Sequence, residues 1–382
     1  MADVDLPGSG PAADPRASRP ASRLTRLLAS PRFQSWAARF PLTRRLVRQE
    51  GEAIFDLVAG FCHSQVLQAL VTLEIPQVLL TEEQPLGALA QRSEIPQDRM
   101  QVLLSAGVAI GLLKQRRNGR YALTTRGAAL AGVPGLADMI RHHDVLYRDL
   151  ADPVAFFRGE VATELADFWP YVFGPEGAGD PDIAATYSQL MADSQRLVAE
   201  DTLATVRLDD VTCLMDVGGG SGAFLTAVAS AYPTMRMVLF DLPAVVPAAQ
   251  ARIAATGLSG RVDIIAGSFH DDALPAGADM VSLVRVLYDH SDAAVAALLR
   301  RVWQALPPGG SILISEPMTG GQQPTRAGDA YFALYCMAMR TGRARSADRI
   351  AAMLASAGFV DVKAYPARRA FITSVLRGVK PG

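Results

Sequence analysis

The motif in this sequence that most clearly indicates a ligand-binding site is a set of four glycines that closely follow an acid. Asp216 lies in the apolar run 213–217, and the next five residues are Gly-Gly-Gly-Ser-Gly. This order predicts a buried strand, a tight turn and a helix N-terminus. Glycine adopts positive φ at low cost and lets a ligand lie against the main chain. The pattern therefore predicts that Asp216, Gly218 and Gly220 bind a nucleotide-like cofactor at the carboxyl end of a sheet.

A second acid ends the next apolar run. Asp241 closes the run 237–240 and precedes Leu242 and Pro243. It follows the glycines at a spacing of roughly 20 residues, where an acid can hydrogen-bond the ribose hydroxyls of NAD or of S-adenosylmethionine (SAM). Asp241 could instead be the N-cap of a helix that begins near Leu242. The two motifs together indicate a nucleoside cofactor and leave NAD and SAM both open.

Further motifs follow in order along the chain, namely Gly267-Ser268-Phe269, the segment 285–290, Pro-Pro-Gly-Gly at 307–310 and the apolar run 311–316. From about residue 50 onward, the succession resembles the SAM-dependent O-methyltransferases of the plant caffeate and bacterial polyketide type. The resemblance implies that SAM is the cofactor and S-adenosylhomocysteine the product. It also implies an α/β fold, a Rossmann-like SAM methyltransferase sheet with an N-terminal helical winged-helix dimerisation domain.

The resemblance implies roles for individual residues around SAM. Gly218 and Gly220 should lie beside the methionine part, and Asp241, followed by Leu242, should hold the ribose. Ser268 and Phe269 should lie at the edge of the adenine. The family commonly has an acid where Ser268 stands, and a serine hydroxyl accepts a hydrogen bond less strongly.

The residues expected to handle the proton depart from the family pattern. Plant members read Leu-His-Asp-Trp, where the histidine takes a phenol proton, whereas this chain reads Leu-Tyr-Asp-His, with Tyr288 and His290. Glu316 matches the first of two glutamates that steady the family histidine, and Ala344 stands in place of the second. Arg285 lies where a basic residue near the methionyl carboxylate often occurs, although it could also be a salt-bridged strand end.

This departure favours an acceptor that depends on positioning more than on a base. Methyl transfer from a sulfonium is an in-line displacement, and orienting the reactants can supply roughly 7–11 kcal/mol. An alcohol would lose its proton as the new bond forms. Tyr288 would then orient the hydroxyl, and His290 would accept the proton directly or through Tyr288. His290 could alternatively just fill the tryptophan position.

The acceptor is suggested by a narrower resemblance. The Tyr-Asp-His variant, the segment 39–45 and the segment 57–61 resemble the carotenoid hydroxyl methyltransferases of purple bacteria, which implies methylation of the tertiary hydroxyl of an acyclic carotenoid. A bacteriochlorophyll-ring C-methyltransferase and a phenol or polyketide O-methyltransferase are alternatives. Residues that lie where family members line the acceptor pocket, or that pack in the core, are Met191, Phe332, Tyr335, Met337 and Met339.

Four regions are expected along the chain. Residues 1–22 should be a disordered tail, 23–134 a helical arm and winged-helix dimerisation domain, 135–206 a helical linker that contributes to the acceptor pocket, and 207–382 the SAM methyltransferase domain. The last domain should end in two antiparallel strands, Val360 to Tyr365 and Ala370 to Leu376, at the sheet edge.

The winged helix is predicted from residues 86–130. Leu86 to Arg92 and Asp98 to Leu113 read as helices, and residues 114–123 read as a β-wing with an Asn-Gly turn. A basic wing would also suit a DNA-binding regulator. The long helix, however, offers few basic residues to a major groove, where phosphate contacts dominate affinity. Apolar helical faces over 52–130 predict a homodimer.

The segment 23–48 alternates arginines with apolar residues, which is typical of a basic helix on an anionic membrane surface. Pro31 and Pro41 break the segment, which favours an arm that packs on a partner subunit. We therefore expect a cytoplasmic enzyme. If the basic segment lies on a membrane surface, the enzyme is peripheral to that membrane.

Composition excludes several classes. The net charge of −1 gives no reason to expect nucleic acid, and no apolar run of about 20 residues is free of charge. Three scattered cysteines predict neither a disulfide framework nor a zinc site. No cluster has the spacing of metal ligands, and the adjacent His142 and His143 are expected at the surface or at a pocket edge. We expect a metal-independent enzyme.

Overall fold

The computed structural model describes residues 22–167, 195–365 and 368–382 of the chain. Met191, the tail before residue 22 and the aromatic residues at 168–173 therefore lie outside the described residues. The chain divides into two compact units, with the boundary between Ala69 and Leu70.

The first unit consists of helices α1 (Arg23–Leu28), α2 (Pro31–Arg39) and most of α3 (Arg44–Thr72). The side chain of Ser30 caps α2, which starts at Pro31 and ends before Pro41, so the two prolines do interrupt the arm. Many large apolar side chains of this unit are exposed, including Leu42, Leu57 and Phe61. An exposed apolar surface of this kind indicates an interaction site.

Of the helices in the described part of the chain, α3 alone is long and apolar enough to pass a length-and-composition test for a membrane span. Core helices of soluble proteins pass the same test, so its result is weak evidence for a span.

The second unit opens with a small α/β region. Its elements are α4 (Ile75–Thr81), β1 (Gln84–Pro85), α5 (Leu86–Arg92), α6 (Gln97–Ala109), β2 (Leu113–Gln115), β3 (Arg120–Leu123) and α7 (Thr125–Gly132). The strands form an antiparallel sheet in the order β1-β3-β2. The predicted helix Leu86 to Arg92 and the hairpin at 114–123 are confirmed. The longer helix ends at Ala109, short of the predicted Leu113, because the chain turns at Gly111 with φ of +76°.

Helices connect this region to the large sheet. They are α8 (Leu136–Asp149), α9 (Pro153–Phe157), α10 (Glu164–Asp167) and α11, whose described part covers 195–205. The carboxylate of Asp149 is buried and accepts hydrogen bonds from the backbone N–H groups of Glu164 and Leu165 at 2.7 and 3.0 Å. This contact joins the end of α8 to the start of α10.

A seven-stranded sheet forms the centre of the second unit. Its strands are β4 (Cys213–Val217), β5 (Arg236–Asp241), β6 (Val262–Ala266), β7 (Met280–Val284), β8 (Ser311–Glu316), β9 (Val360–Tyr365) and β10 (Ser374–Val379). Their order is β6-β5-β4-β7-β8-β10-β9. The first five are parallel, and β10 is antiparallel to both β8 and β9.

Helices cover both faces of this sheet, as the alternation of strands and helices predicts. They are α12 (Ala223–Ala231), α13 (Val246–Ala255), α14 (Asp292–Ala305) and α16 (Ala347–Ser356), whereas α15 (Ala333–Ala338) packs beside α8 and α10. Successive strand residues point to opposite faces. Leu214 accordingly packs with the core beneath α12 and α13, and Met215 with the core beneath α14 and α16.

The predicted pair of late strands is present, with one change of boundary. β9 covers the predicted Val360 to Tyr365, but β10 starts at Ser374 and continues to Val379. Register against β8 sets these limits, because Ser374 pairs with Glu316 and Val379 with Ser311.

Strand β4 has β5 on one side and β7 on the other, so the direction of strand order reverses there. Ligands of open α/β sheets bind outside the carboxyl ends of the strands at such a switch point. The glycine loop follows β4, Asp241 ends β5 and Arg285 follows β7, so the fold brings the predicted site residues to one edge.

Candidate active site

The glycine loop between β4 and α12 requires glycine for two different reasons. Gly218 and Gly220 have φ values of +71° and +59°, which disfavour other residues. A Cβ on Gly218 would also lie 2.9 Å from Cγ2 of Val286. The backbone N–H of Gly218 donates to the carbonyl oxygen of Phe240 at 2.9 Å, which ties the loop to β5.

Asp241 faces this loop. One carboxylate oxygen accepts from the backbone N–H of Gly220 and the other from that of Leu242, both at 2.7 Å. Burial raises the pKa of Asp241 while these two hydrogen bonds lower it. The alternative assignment as a helix N-cap is wrong, because α13 begins at Val246 and its N-cap is Val245.

Asp216 lies beneath the loop. Ser282 of β7 donates to one of its carboxylate oxygens at 2.6 Å, and the other oxygen has no hydrogen-bond partner among the described residues. A Cβ on Gly219 would lie 2.8 Å from that second oxygen. Burial raises the pKa of Asp216 to about 7, against the hydrogen bond from Ser282. Asp216 thus supports the turn from below.

The loop after β6 places Ser268 in an internal network. Its hydroxyl donates to Asp271 at 3.0 Å and accepts from the backbone N–H of His270 at 3.2 Å. Its own N–H donates to Asp272 at 2.8 Å. Two carboxylates thus stand within three to four residues of the position where the family commonly has an acid.

Three rings meet at the same loop. The ring centroid of Phe269 lies 4.5 Å from that of His270 and 5.2 Å from that of His290, and the two histidine rings are 5.3 Å apart. Burial lowers the pKa of His290 to about 4, helped by His270 and Arg345. His290 is therefore neutral at pH 7 and lies against the residues predicted to edge the adenine. Its assignment as proton acceptor stays a prediction.

Glu316 holds the 3₁₀ turn Leu287–Asp289 by its main chain. One carboxylate oxygen accepts from the N–H groups of Leu287 and Tyr288 at 3.0 and 3.2 Å. Burial raises the pKa of Glu316 to about 7, and its other oxygen has no hydrogen-bond partner within the described ranges. Glu316 therefore positions Tyr288 through backbone contacts.

Arg345 holds the same turn from its other side. Its guanidinium is buried and donates to the carbonyl oxygens of Leu287 and His290, both at 2.7 Å, and to the carboxylate of Asp292 at 2.8 Å. Sequence reasoning missed this residue. It directly follows Ala344, but in the sequence nothing separates it from its neighbours Arg343 and Arg349.

Arg285 has φ of +60° directly after β7. Its N–H donates to the carbonyl oxygen of Ser315, and its guanidinium donates to the hydroxyl of Tyr288 at 3.3 Å. Burial raises the pKa of Tyr288, so the phenol holds its proton at neutral pH. Arg285 thus contacts the residue that stands in place of the family histidine.

Two histidine–tyrosine pairs join α8 to residues 331–335. Nε2 of His142 lies 2.9 Å from the hydroxyl of Tyr335, and Nε2 of His143 lies 2.6 Å from the hydroxyl of Tyr331. Burial lowers the pKa of His142 to about 4, with a smaller effect of His143, and burial also lowers the pKa of His143. Both histidines are half-buried, so they are less exposed than surface residues, and their place at a pocket edge stays a prediction.

The other predicted pocket residues have different surroundings. Met339 is fully buried with Leu146, Phe156 and Leu165, which favours the core interpretation for this residue. Phe332 is partly buried, and its ring lies 4.9 Å from that of Tyr331. Met337 is exposed.

The structure resembles the crystal structure of human N-acetylserotonin methyltransferase in complex with SAM. The TM-score is 0.71 and the sequence identity 25%, and the match covers 87% of this chain and 98% of that chain. Together with the glycine loop and Asp241 at the switch point, this similarity defines the chain as an α/β SAM-dependent methyltransferase.

Comparison of sequences gives the family. Residues 147–360 match the O-methyltransferase domain, and residues 55–132 match the O-methyltransferase dimerisation domain. The chain belongs to this O-methyltransferase family, and its dimerisation domain supports the homodimer expected from the apolar faces over 52–130.

Two relatives match nearly the whole chain. The chain is 54% identical over 361 residues to demethylspheroidene O-methyltransferase of Cereibacter sphaeroides, which covers 94% of this chain and 95% of the relative. It is 52% identical over 352 residues to demethylspheroidene O-methyltransferase of Rhodobacter capsulatus, with coverage of 92% and 88%.

The raised pKa of Glu316 predicts a pH-dependent contribution to stability. The folded state holds a proton up to about pH 7, whereas a glutamate with the ordinary pKa of 4.5 releases it earlier. The stability that this proton contributes is fully present below pH 4.5 and is lost as the pH rises to about 7. Compared with Glu316→Gln, the wild type should lose about 3 kcal/mol between these pH values.

Urea unfolding of both proteins without ligand, from pH 4.5 to 8, measures this difference. Glu160→Gln is the control, since Glu160 is exposed, and its curve should run parallel to that of the wild type. Parallel curves for Glu316→Gln and wild type would show that Glu316 is ionised throughout.

Proposed function

We propose that this enzyme transfers the methyl group of SAM to the tertiary hydroxyl of an acyclic carotenoid, a step of carotenoid biosynthesis in a photosynthetic cell. The observation that carries the proposal is the 54% identity, over nearly the full length of both chains, to a demethylspheroidene O-methyltransferase. The Leu-Tyr-Asp-His sequence at 287–290 supports it, because a phenol methyltransferase of the resembled type has histidine where Tyr288 stands.

We assign the cofactor contacts to the residues at the switch point. Gly218 and Gly220 would border the methionine part, with Asp216 supporting their turn. Asp241 would hold the ribose hydroxyls next to Leu242. Both sets of contacts lie at the adjoining ends of β4 and β5, which supports their joint use for one ligand.

The remaining assignments concern the adenine and the carboxylate. Ser268, through its network with Asp271, and Phe269 would edge the adenine, and the ring contact of Phe269 with His290 would extend that wall. Arg285 would lie near the methionyl carboxylate.

SAM supplies an activated methyl group on a sulfonium, and the residues around it position the acceptor oxygen in line with that methyl. The phenol of Tyr288 is protonated and hydrogen-bonded to Arg285, so it would orient the acceptor hydroxyl. Glu316 would keep Tyr288 in place through the backbone. Phe332 and Tyr335, with Met191 and Met339, would line or support the acceptor pocket.

We propose that the small sheet of β1 to β3 with helices α4 to α7 is a winged helix that serves dimerisation. We propose domain boundaries after residues 22, 134 and 206. The second boundary falls between α7 and α8, and the third falls between α11 and β4. We also propose a cytoplasmic enzyme that is peripheral to the membrane, and the arginines and exposed apolar side chains of α1 and α2 support the membrane contact. Coverage of the same side chains by the second subunit is the alternative.

The function is tested by mass spectrometry of the products. Purified protein and SAM are mixed with a hydroxycarotenoid in detergent or in vesicles, with a catechol or with a chlorin precursor. We expect the methyl ether of the carotenoid, unchanged rates in EDTA and higher rates in vesicles. The described residues contain no group of three or more metal-ligating side chains.

Other outcomes would contradict parts of the proposal. Faster turnover of the catechol would overturn the acceptor assignment, and a C-methylated chlorin would favour the alternative function. Loss of activity in EDTA that Mg²⁺ or Zn²⁺ restores would overturn metal independence.

A further inference from the structure

Two adjacent histidines of α8 reach two tyrosines that lie one helical turn apart. His143 pairs with Tyr331 at 2.6 Å, and His142 pairs with Tyr335 at 2.9 Å. Tyr331 belongs to a π-helix, Arg326–Phe332, that continues directly into α15. Short π-helical segments are rare and frequently occur at functional sites.

This cluster lies next to the reacting end of the candidate site. Arg285 donates to the hydroxyl of Tyr288 and also lies close enough to Tyr331 to act on its phenol, whose pKa is raised by burial while the charge of Arg285 opposes that rise. The titratable groups around the pair include His142, Tyr335, whose ring lies 6.2 Å from that of Tyr331, Tyr147 of α8, whose ring lies 6.4 Å from that of His143, and Cys336 of α15. The pair is thus connected through Arg285 to the tyrosine that replaces the family histidine.

We propose, on the basis of the proposed function, that Tyr331 and His143 form the route by which the acceptor hydroxyl loses its proton. Tyr331 contacts the acceptor oxygen, and His143 receives the proton through Tyr331. This assignment takes the place of His290, whose ring contacts Phe269 and His270 on the adenine side of the site.

The protonation states of the pair suit this route. Burial lowers the pKa of His143 and raises that of Tyr331, so a neutral imidazole faces a protonated phenol. Tyr331 can donate its proton to Nε2 of His143 and accept one from the substrate in the same step. A weak base is sufficient, because an alcohol oxygen that is forming a bond to carbon becomes strongly acidic.

Bonds and charge balance in this step. The acceptor oxygen forms a bond to the methyl carbon as the carbon–sulfur bond breaks, and that electron pair stays on sulfur. The O–H bond breaks with its electrons retained by oxygen, and the proton passes through Tyr331 to His143. The positive charge of the sulfonium thereby becomes that of the imidazolium.

The experiment compares His143→Ala, Tyr331→Phe and His290→Ala. For His143→Ala we expect kcat to fall about 10²–10³-fold, with SAM affinity by calorimetry and acceptor KM within about threefold of wild type. For Tyr331→Phe, which breaks the same route, we expect a fall in kcat of about the same size. Added imidazole should restore part of the activity of His143→Ala and leave Tyr331→Phe unchanged.

The pH profile separates a chemical role from a structural one. In the wild type, kcat should fall on the acid side as His143 becomes protonated, below its ordinary pKa of 6.5, and His143→Ala should lack this limb. His143→Gln keeps a polar side chain of similar length, and thermal unfolding checks that all variants fold. If His143→Ala does not fold, His143→Gln takes its place in the comparison.

The result that overturns the proposal is full kcat in His143→Ala or His143→Gln, most directly if His290→Ala loses 10²-fold or more. The variants are assayed on whichever acceptor the wild type methylates. If that acceptor is a catechol, the carotenoid function fails while the test of the proton route is still complete.

Discussion

Replacing Asp241 with alanine is expected to weaken SAM binding by about 10²–10⁴-fold. Its carboxylate ends β5 beside the glycine loop, where it would accept from both ribose hydroxyls. Each hydrogen bond to a charged group contributes roughly 1.5–3 kcal/mol, so losing two costs roughly 3–6 kcal/mol. Isothermal titration calorimetry of SAM with both proteins measures the loss.

Asp241 also accepts from the N–H groups of Gly220 and Leu242, so alanine removes contacts within the protein as well. Asp241→Asn keeps one acceptor oxygen and should fall between alanine and wild type. Asp263→Ala on the neighbouring strand is the control, because the Asp263 side chain is 71% exposed. Unchanged SAM affinity in a folded Asp241→Ala would overturn the ribose assignment, and binding of NAD without SAM would overturn the cofactor.

Arg345→Leu should produce the largest loss of stability, about 3–5 kcal/mol. The buried guanidinium satisfies the carbonyl oxygens of Leu287 and His290 and pairs with Asp292. Removing the buried guanidinium leaves these two carbonyl oxygens without their donor, and each unsatisfied buried polar group costs roughly 1–3 kcal/mol. The partly exposed Asp292 keeps its pairs with Arg343 and Arg349 and contributes less. Because the same contacts hold the turn that carries Tyr288, activity should fall further than stability alone explains. Urea unfolding and steady-state kinetics on the same samples measure both losses.

Arg349→Leu is a matched control for this prediction. Arg349 also pairs with Asp292, at 3.0 Å, but its side chain is 56% exposed, whereas that of Arg345 is 1% exposed. Exposed ion pairs contribute about 0–1 kcal/mol, so Arg349→Leu should remain close to wild type. Equal losses in the two variants would mean that the effect of Arg345 comes only from its pairing with Asp292.

Much of the fold follows from local sequence patterns. The limits of β9 and of α5 agree with their predicted limits because apolar periodicity and flanking turn residues act within a few residues. The end of α6 and the start of β10 differ from their predicted positions. The turn at Gly111 ends α6 early, and pairing with β8 sets the start of β10.

The cofactor side of the site is likewise predictable. Glycines between a strand and a helix, followed by an acid at the next strand end, predict a nucleoside site whatever surrounds them. The order of the later motifs adds SAM and the family. Each motif occupies consecutive residues, so the chain itself brings its members together.

The residues proposed for the acceptor side depend on contacts between distant parts of the chain. His143 and Tyr331 are separated by 188 positions and meet only because α8 packs beside α15. Arg345 differs from its neighbours Arg343 and Arg349 because its guanidinium is buried while theirs are exposed, and the sequence does not show this difference.

The sequence by itself therefore determined the class of enzyme, the cofactor and the residues expected to hold it. Only the tertiary structure decided that His290 lies with Phe269 and His270, and that His143 lies with Tyr331. The physical reason is that a side chain's pKa and hydrogen-bond partners depend on burial and on neighbours from other elements, and local sequence carries neither.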